Sequence, residues 1–165
     1  MKMLYVIRHA KSSWKNPLMD DFDRPLNKRG EHDAPQMGER LKKKNIKADL
    51  LLSSSAKRAF ITCQKIADAL NYPQEKIKTE KKLYHASEET ILQIIKSCDN
   101  KHNIIMCFGH NPGLTDFVNH LTGTVIENVP TCGIVACSLP IDSWKDLEWE
   151  QAKIEFFDYP KMEKS

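Results

Sequence analysis

Two histidines, each set beside groups that suit an anion, carry the chemical signal of this 165-residue chain. His9 follows Arg8 at the end of one apolar run, and His110 follows Gly109 at the end of another. A third apolar run ends in Ser53, Ser54 and Ser55, with Arg58 just beyond. Arginine offers a rigid fork of donors that stays charged. Histidine offers a nucleophilic nitrogen near neutral pH. The set suits a phosphoryl dianion held beside a nucleophilic imidazole. Each piece is weak alone, because Arg-His is a common dipeptide and single histidines usually pack or sit on the surface. Their recurrence after three apolar runs gives the pattern its weight. Arg58 adds to it, since the first turn of a helix favours acids rather than bases.

The elements that would position these groups follow from periodicity. Residues 3–7 form an apolar run of strand formers, as do 48–53 and 103–108. Residues 77–79 are a candidate short strand, and 131–139 and 152–158 are late strands. A helix is expected from about Asn27 to Lys44, with Pro35 either kinking it or delaying its start. Ser54 or Ser55 is the expected cap of a helix over 56–70, whose apolar face is Phe60, Cys63, Ala67 and Leu70. Ser87 can cap a helix over 88–98. Asn111 and Pro112 suit the start of a helix bearing Leu114, Phe117, Val118 and Leu121. Residues 10–26 read as a long loop, a kind that often carries function. Strands alternate with helices, which argues an α/β domain with a mainly parallel, doubly wound sheet. Ligands of such sheets bind beyond the carboxyl ends of the strands, where Arg8, His9, Arg58 and His110 fall.

Composition bounds the rest. The chain is sized for one domain, expected over residues 1–160 with a frayed tail at 161–165. A net charge of +3 is too small to argue for nucleic acid. No apolar run approaches a membrane span, and the first apolar stretch is too short for a secretory signal. Five scattered cysteines without a CxxC pair imply reduced thiols and a cytoplasmic setting. The histidines lack metal-ligand spacing, so neither a metal nor another cofactor is expected.

The chain resembles the histidine phosphatase superfamily, in its small SixA-like branch of phosphohistidine phosphatases. The matching motifs are Val6-Ile7-Arg8-His9-Ala10, then Asp23-Arg24-Pro25-Leu26 with Arg29-Gly30. Ser54-Ser55-Ala56-Lys57-Arg58-Ala59 with Thr62 and Gly109-His110-Asn111-Pro112 complete them. Their order and spacing hold from residue 3 to about 140. The resemblance implies a three-layer α/β/α sandwich with a mixed sheet and no metal. It implies that His9 becomes phosphorylated and that Arg8, Arg58 and His110 bind the phosphoryl oxygens. Arg24 would also face the pocket, and Asn111 beside His110 is the other candidate for substrate binding.

Larger members of that superfamily carry a glutamate acid where this chain reads Lys82-Leu83-Tyr84-His85-Ala86. No carboxylate stands there. Glu88, Glu89, Asp20, Asp21 and Asp23 are nearby acids, read here as solvated surface groups in preference to substitutes. Without a strong acid, an imidazole leaving group is favoured over an alkoxide. The expected activity is therefore removal of phosphate from phosphohistidine on a protein, with inorganic phosphate as product. A general phosphatase of small phosphate esters and a non-catalytic phosphate-binding module are the competing readings. Repulsion from Arg8 and Arg58 should lower the pKa of His9. Trp14 and Phe22 are read as packing the loop onto the body rather than touching substrate, and Lys42-Lys43-Lys44 as a solvated helix end.

Overall fold

Along β1 (Lys2–Arg8) the side chains divide between two cores, as a pleated strand requires. Leu4 and Val6 join one apolar cluster, and Tyr5 and Ile7 join the other. The computed structural model, which describes residues 1–161, extends this division across the molecule. The elements that follow are α1 (Lys28–Lys43), β2 (Leu50–Ser54), α2 (Lys57–Ala69), β3 (Lys78–Glu80) and α3 (Glu88–Lys96). Then come β4 (Ile104–Gly109), α4 (Gly113–Thr122), β5 (Ile134–Leu139) and β6 (Lys153–Asp158). Met37 and Leu41 of α1 and Cys63 and Ile66 of α2 cover one face of the sheet. Ile91 and Ile95 of α3 and Leu114, Phe117 and Leu121 of α4 cover the other. The result is a three-layer α/β/α sandwich.

The sheet is mixed, in the order β3-β2-β4-β1-β5-β6. Strands β3, β2, β4 and β1 pair in parallel. The two late strands do not continue the doubly wound pattern, because β5 runs antiparallel to β1 and β6 antiparallel to β5. After α4 the chain returns over residues 123–133 to the carboxyl end of the sheet, where the Val129 carbonyl accepts from Arg8 Nη1 at 3.2 Å. β5 therefore starts opposite the end of β1, with Ile134 paired to Ile7. No crossover carries it to the other end first, so it cannot run parallel.

Local signals set most helix ends. Asn27 Oδ1 accepts from the Gly30 N–H at 2.9 Å and starts α1, which runs through Pro35 without a late start. Ser87 Oγ accepts from the Thr90 N–H and starts α3 as expected. At α2 the expected serine cap is replaced by Ala56 in the capping position, with no side-chain bond. Ser54 Oγ accepts from the Ala56 N–H instead and faces His110, so it serves the turn and the site. α4 begins after Pro112, and Asn111 Oδ1 accepts from the Thr115 N–H at 3.1 Å. All five cysteines are free thiols, and four of them are buried. Among the described residues no helix is long and apolar enough to cross a membrane. Of the tail at 161–165, only Lys161 lies among the described residues, in a turn.

Gly113, the first residue of α4, packs against the Ala86 carbonyl so closely that a Cβ there would overlap it. The partner is backbone and cannot swing away. Gly113→Ala should therefore destabilise the fold by about 1–3 kcal/mol, lowering Tm by roughly 2–12 °C in calorimetry. An unchanged Tm would show that α4 and residue 86 can separate at no cost.

Candidate functional site

The β1–β4 ladder sets Arg8 opposite Gly109, so the next residue of each strand falls side by side. These are His9 and His110, with ring centroids 5.2 Å apart. The backbone of His9 is held on both sides. Its N–H donates to the Gly109 carbonyl at 3.1 Å, and its carbonyl accepts from the Cys132 N–H at 2.9 Å. The next N–H, of Ala10, donates to Thr62 Oγ1, which donates in turn to the Arg58 carbonyl. That chain of bonds ties the His9 turn to the first turn of α2.

His9 is buried, and its Nδ1 lies 2.7 Å from the Ala10 carbonyl oxygen. A carbonyl can only accept, so Nδ1 carries the proton and Nε2 keeps a lone pair. Burial pushes the His9 pKa down to about 4, with Arg58, Arg8 and Arg24 adding repulsion and the Ala10 bond opposing. The expected lowering is present, but desolvation rather than like charge is its largest cause. His110 is pushed down further, to about 3, by burial first and then by His9, Arg58 and His85. Its Nε2 sits 2.8 Å from Ser54 Oγ. With the Ser54 hydroxyl donating to Nε2, the ring proton stands on Nδ1.

These groups line a cavity of about 530 Å³, bordered by Arg8, His9, Arg24, Arg58, His110 and Asn111. All six residues singled out by sequence therefore meet in one place. Lys11, Ser12, Trp14, His85, Asn128 and Thr131 also line it. Arg8 Nε, Arg58 Nε and His110 Nδ1 are buried without a protein partner among the described residues. Buried polar atoms seldom stay unpaired, and phosphoryl oxygens are acceptors that suit all three. Asn111 is committed elsewhere: its Nδ2 donates to Asn128 Oδ1 and the Val129 carbonyl, and its Oδ1 holds Thr115. It braces the 123–133 return segment at the cavity edge.

The loop acids need correcting. Asp21 is not a solvated surface group. Its Oδ2 accepts from Arg58 Nη2 at 2.9 Å and Tyr84 Oη at 2.6 Å, and its Oδ1 accepts from Arg24 Nε at 3.0 Å. Partial burial raises its pKa, but the bonds from Tyr84, Arg58 and Arg24 outweigh that and hold it well below the usual carboxylate range. It is fixed as an anion between the arginines. Asp20 and Asp23 are exposed, and Glu88 pairs with exposed His120 at 3.1 Å, so neither region supplies an acid to the cavity. Trp14 also departs from expectation. It stays 75% exposed on the cavity wall with the Arg24 guanidinium 3.5 Å from its ring centre. Phe22 does pack, edge-on to Tyr84. His85 and Asp21 were hard to place from sequence because they meet each other, and Asp21 meets Arg58 and Tyr84, from far along the chain.

The sequence matches the histidine phosphatase superfamily (branch 1) over residues 4–86. An uncharacterized protein of Mycobacterium leprae is 28% identical over 169 residues, spanning 94% of this chain and 100% of its own. A solved chain from Agrobacterium tumefaciens, assigned as phosphohistidine phosphatase SixA, has a TM-score of 0.83 at 27% identity. That likeness covers 96% of this chain and 98% of the other. The protein histidine phosphatase SixA complexed with tungstate shares the fold, with a TM-score of 0.81 at 19% identity over 96% and 97% of the two chains.

A pKa near 4 means that His9 is neutral at every pH above about 5 and loses its lone pair to a proton only below that. Histidine NMR titration should show the His9 ring unprotonated at pH 5.5, where an ordinary imidazole is mostly charged. A midpoint near 6.5 for His9 would contradict the buried, arginine-flanked setting.

Proposed function

The chain belongs to the histidine phosphatase superfamily and is a phosphatase, and from that premise we propose that it removes phosphate from phosphohistidine on a protein. The observation that carries this reading is the proton inventory of the cavity. One neutral, fixed imidazole nitrogen faces buried guanidinium groups, while Asp21, the carboxylate that among the described residues bonds Arg58 and Arg24, is held ionised. A group kept as an anion by two arginines cannot donate a proton to a leaving group.

Phosphoryl transfer then rests on position and charge. Nε2 of His9 attacks phosphorus in line with the leaving nitrogen, the P–N bond breaks, and its electron pair stays on the departing imidazole, whose other ring nitrogen carries a proton. Arg8, Arg58 and the His110 Nδ1–H stabilise the equatorial oxygens, with Arg24 at the mouth. Water attacks phospho-His9, releasing inorganic phosphate and restoring Nε2. No step needs a metal. Imidazole leaves far more readily than a serine or sugar alkoxide, which matches a site without a carboxylic acid. Exposed Trp14 on the wall leaves the cavity accessible to a side chain presented by another protein.

The deciding measurement is phosphate release from a phosphohistidine peptide and a phosphoserine peptide, with EDTA present. Release from phosphohistidine alone is expected. Comparable release from phosphoserine favours a general esterase, and loss of activity in EDTA ends the metal-independent mechanism. His9→Ala should reduce turnover to background with an unchanged circular dichroism spectrum. Arg58→Ala should cost about 10²–10³-fold, and exposed Lys43→Ala should stay within about twofold.

A further inference from the structure

His85 takes no part in the mechanism above, yet its side chain is on the cavity wall with His9, Arg58 and His110. Its ring lies 6.4 Å from that of His110, and His110 lies 5.2 Å from His9. Three imidazoles thus border one cavity. Two are buried and spoken for, His9 by Ala10 and His110 by Ser54. The third is 64% exposed on the cavity wall.

Its surroundings are specific. Nε2 of His85 is 3.8 Å from Asp21 Oδ2, the carboxylate fixed as an anion by Arg58, Arg24 and Tyr84. The Tyr84 ring lies against its face at 3.9 Å between centroids. The backbone of His85 has φ 56, a left-handed conformation uncommon outside glycine. Such conformations cost free energy and concentrate at functional sites. Here the turn is held from behind, where Gly113 of α4 packs on the Ala86 carbonyl. An imidazole on the wall of a phosphoryl site can carry a proton to a leaving group, and a carboxylate beside it can hold its ring in place.

We infer that His85 is the proton donor to the leaving group, with Asp21 as its positioning residue. The assignment rests on the phosphatase reading given above and extends it. As phosphorus bonds to His9 Nε2, the leaving bond breaks and the His85 proton passes to the departing group. In phosphohistidine that proton goes to the unphosphorylated ring nitrogen; in an ester it goes to the bridging oxygen. His85 is then neutral. It takes a proton from the water that attacks phospho-His9, which returns it to the cation and leaves inorganic phosphate. Protons and charges balance over the cycle with no further reactant. A histidine donor also fits the substrate class, because an imidazole leaving group needs a donor no stronger than another imidazole.

The test compares the unaltered protein with His85→Gln and His85→Ala across aryl phosphates, from 4-nitrophenyl to unsubstituted phenyl phosphate, alongside a phosphohistidine peptide. The expected result is a loss in kcat/KM of about 10²-fold or more on phenyl phosphate, and under about threefold on 4-nitrophenyl phosphate, whose leaving group needs no proton. A purely structural role would lower the whole series equally, and that outcome removes His85 from proton transfer. No loss on phenyl phosphate, or an unaltered protein inert toward every aryl phosphate, also overturns it. If the leaving-group pattern appears but the phosphohistidine peptide is untouched, the donor assignment stands and the proposed substrate falls.

Discussion

Slip β1 by one residue against β4 and His9 leaves the side of His110, because neighbouring side chains of a strand point to opposite faces. The pairing of Arg8 with Gly109 is therefore the constraint on which the site depends. It is enforced from both sides of the sheet. Leu4 and Val6 must reach the α3–α4 core while Tyr5 and Ile7 reach the α1–α2 core, and a one-residue slip breaks both. The apolar core thus fixes the position of a polar side chain beyond its edge. The same ladder aligns β2, which brings Ser54 under His110 and starts α2 where Arg58 can turn toward His9.

Gathering cations at one buried place has an electrostatic cost, and the chain meets it in two ways. Both buried histidines are kept neutral, His9 at about 4 and His110 at about 3, so neither adds charge at ordinary pH. Asp21 supplies the counter-charge, bonding Arg58 and Arg24 at once. Removing charge from the imidazoles gives His9 its free electron pair, and fixing charge on Asp21 denies the site a carboxylic acid. Burial first and the arginines second leave His9 its electron pair, while Tyr84 and the arginines fix the charge on Asp21.

Much of this was legible in the sequence. Apolar runs located β1, β2 and β4, and the groups following them located Arg8, His9, Arg58 and His110. Ser87 and Asn27 mark helix starts by the chemistry of capping, which acts within a few residues. What local signals do not carry depends on tertiary contacts. β5 looks like any other strand locally, and its antiparallel course depends on where residues 123–133 return. Ser54 looks like a helix cap, but the capping position falls at Ala56 and Ser54 turns to His110. Trp14 looks like a packing aromatic, yet Arg24 holds it at the cavity wall.

By itself the sequence located His9, the arginines around it and the α/β layering, because residue type, periodicity and strand-end position are local properties. The tertiary structure alone decided which groups carry protons. Asp21 meets Arg58 across 37 positions and Tyr84 across 63, and those contacts turn a loop acid into a fixed anion. The same contacts place His85 opposite that anion at the cavity rim. A protonation state depends on burial and on charges brought near by folding, and neither is written in the order of neighbouring residues.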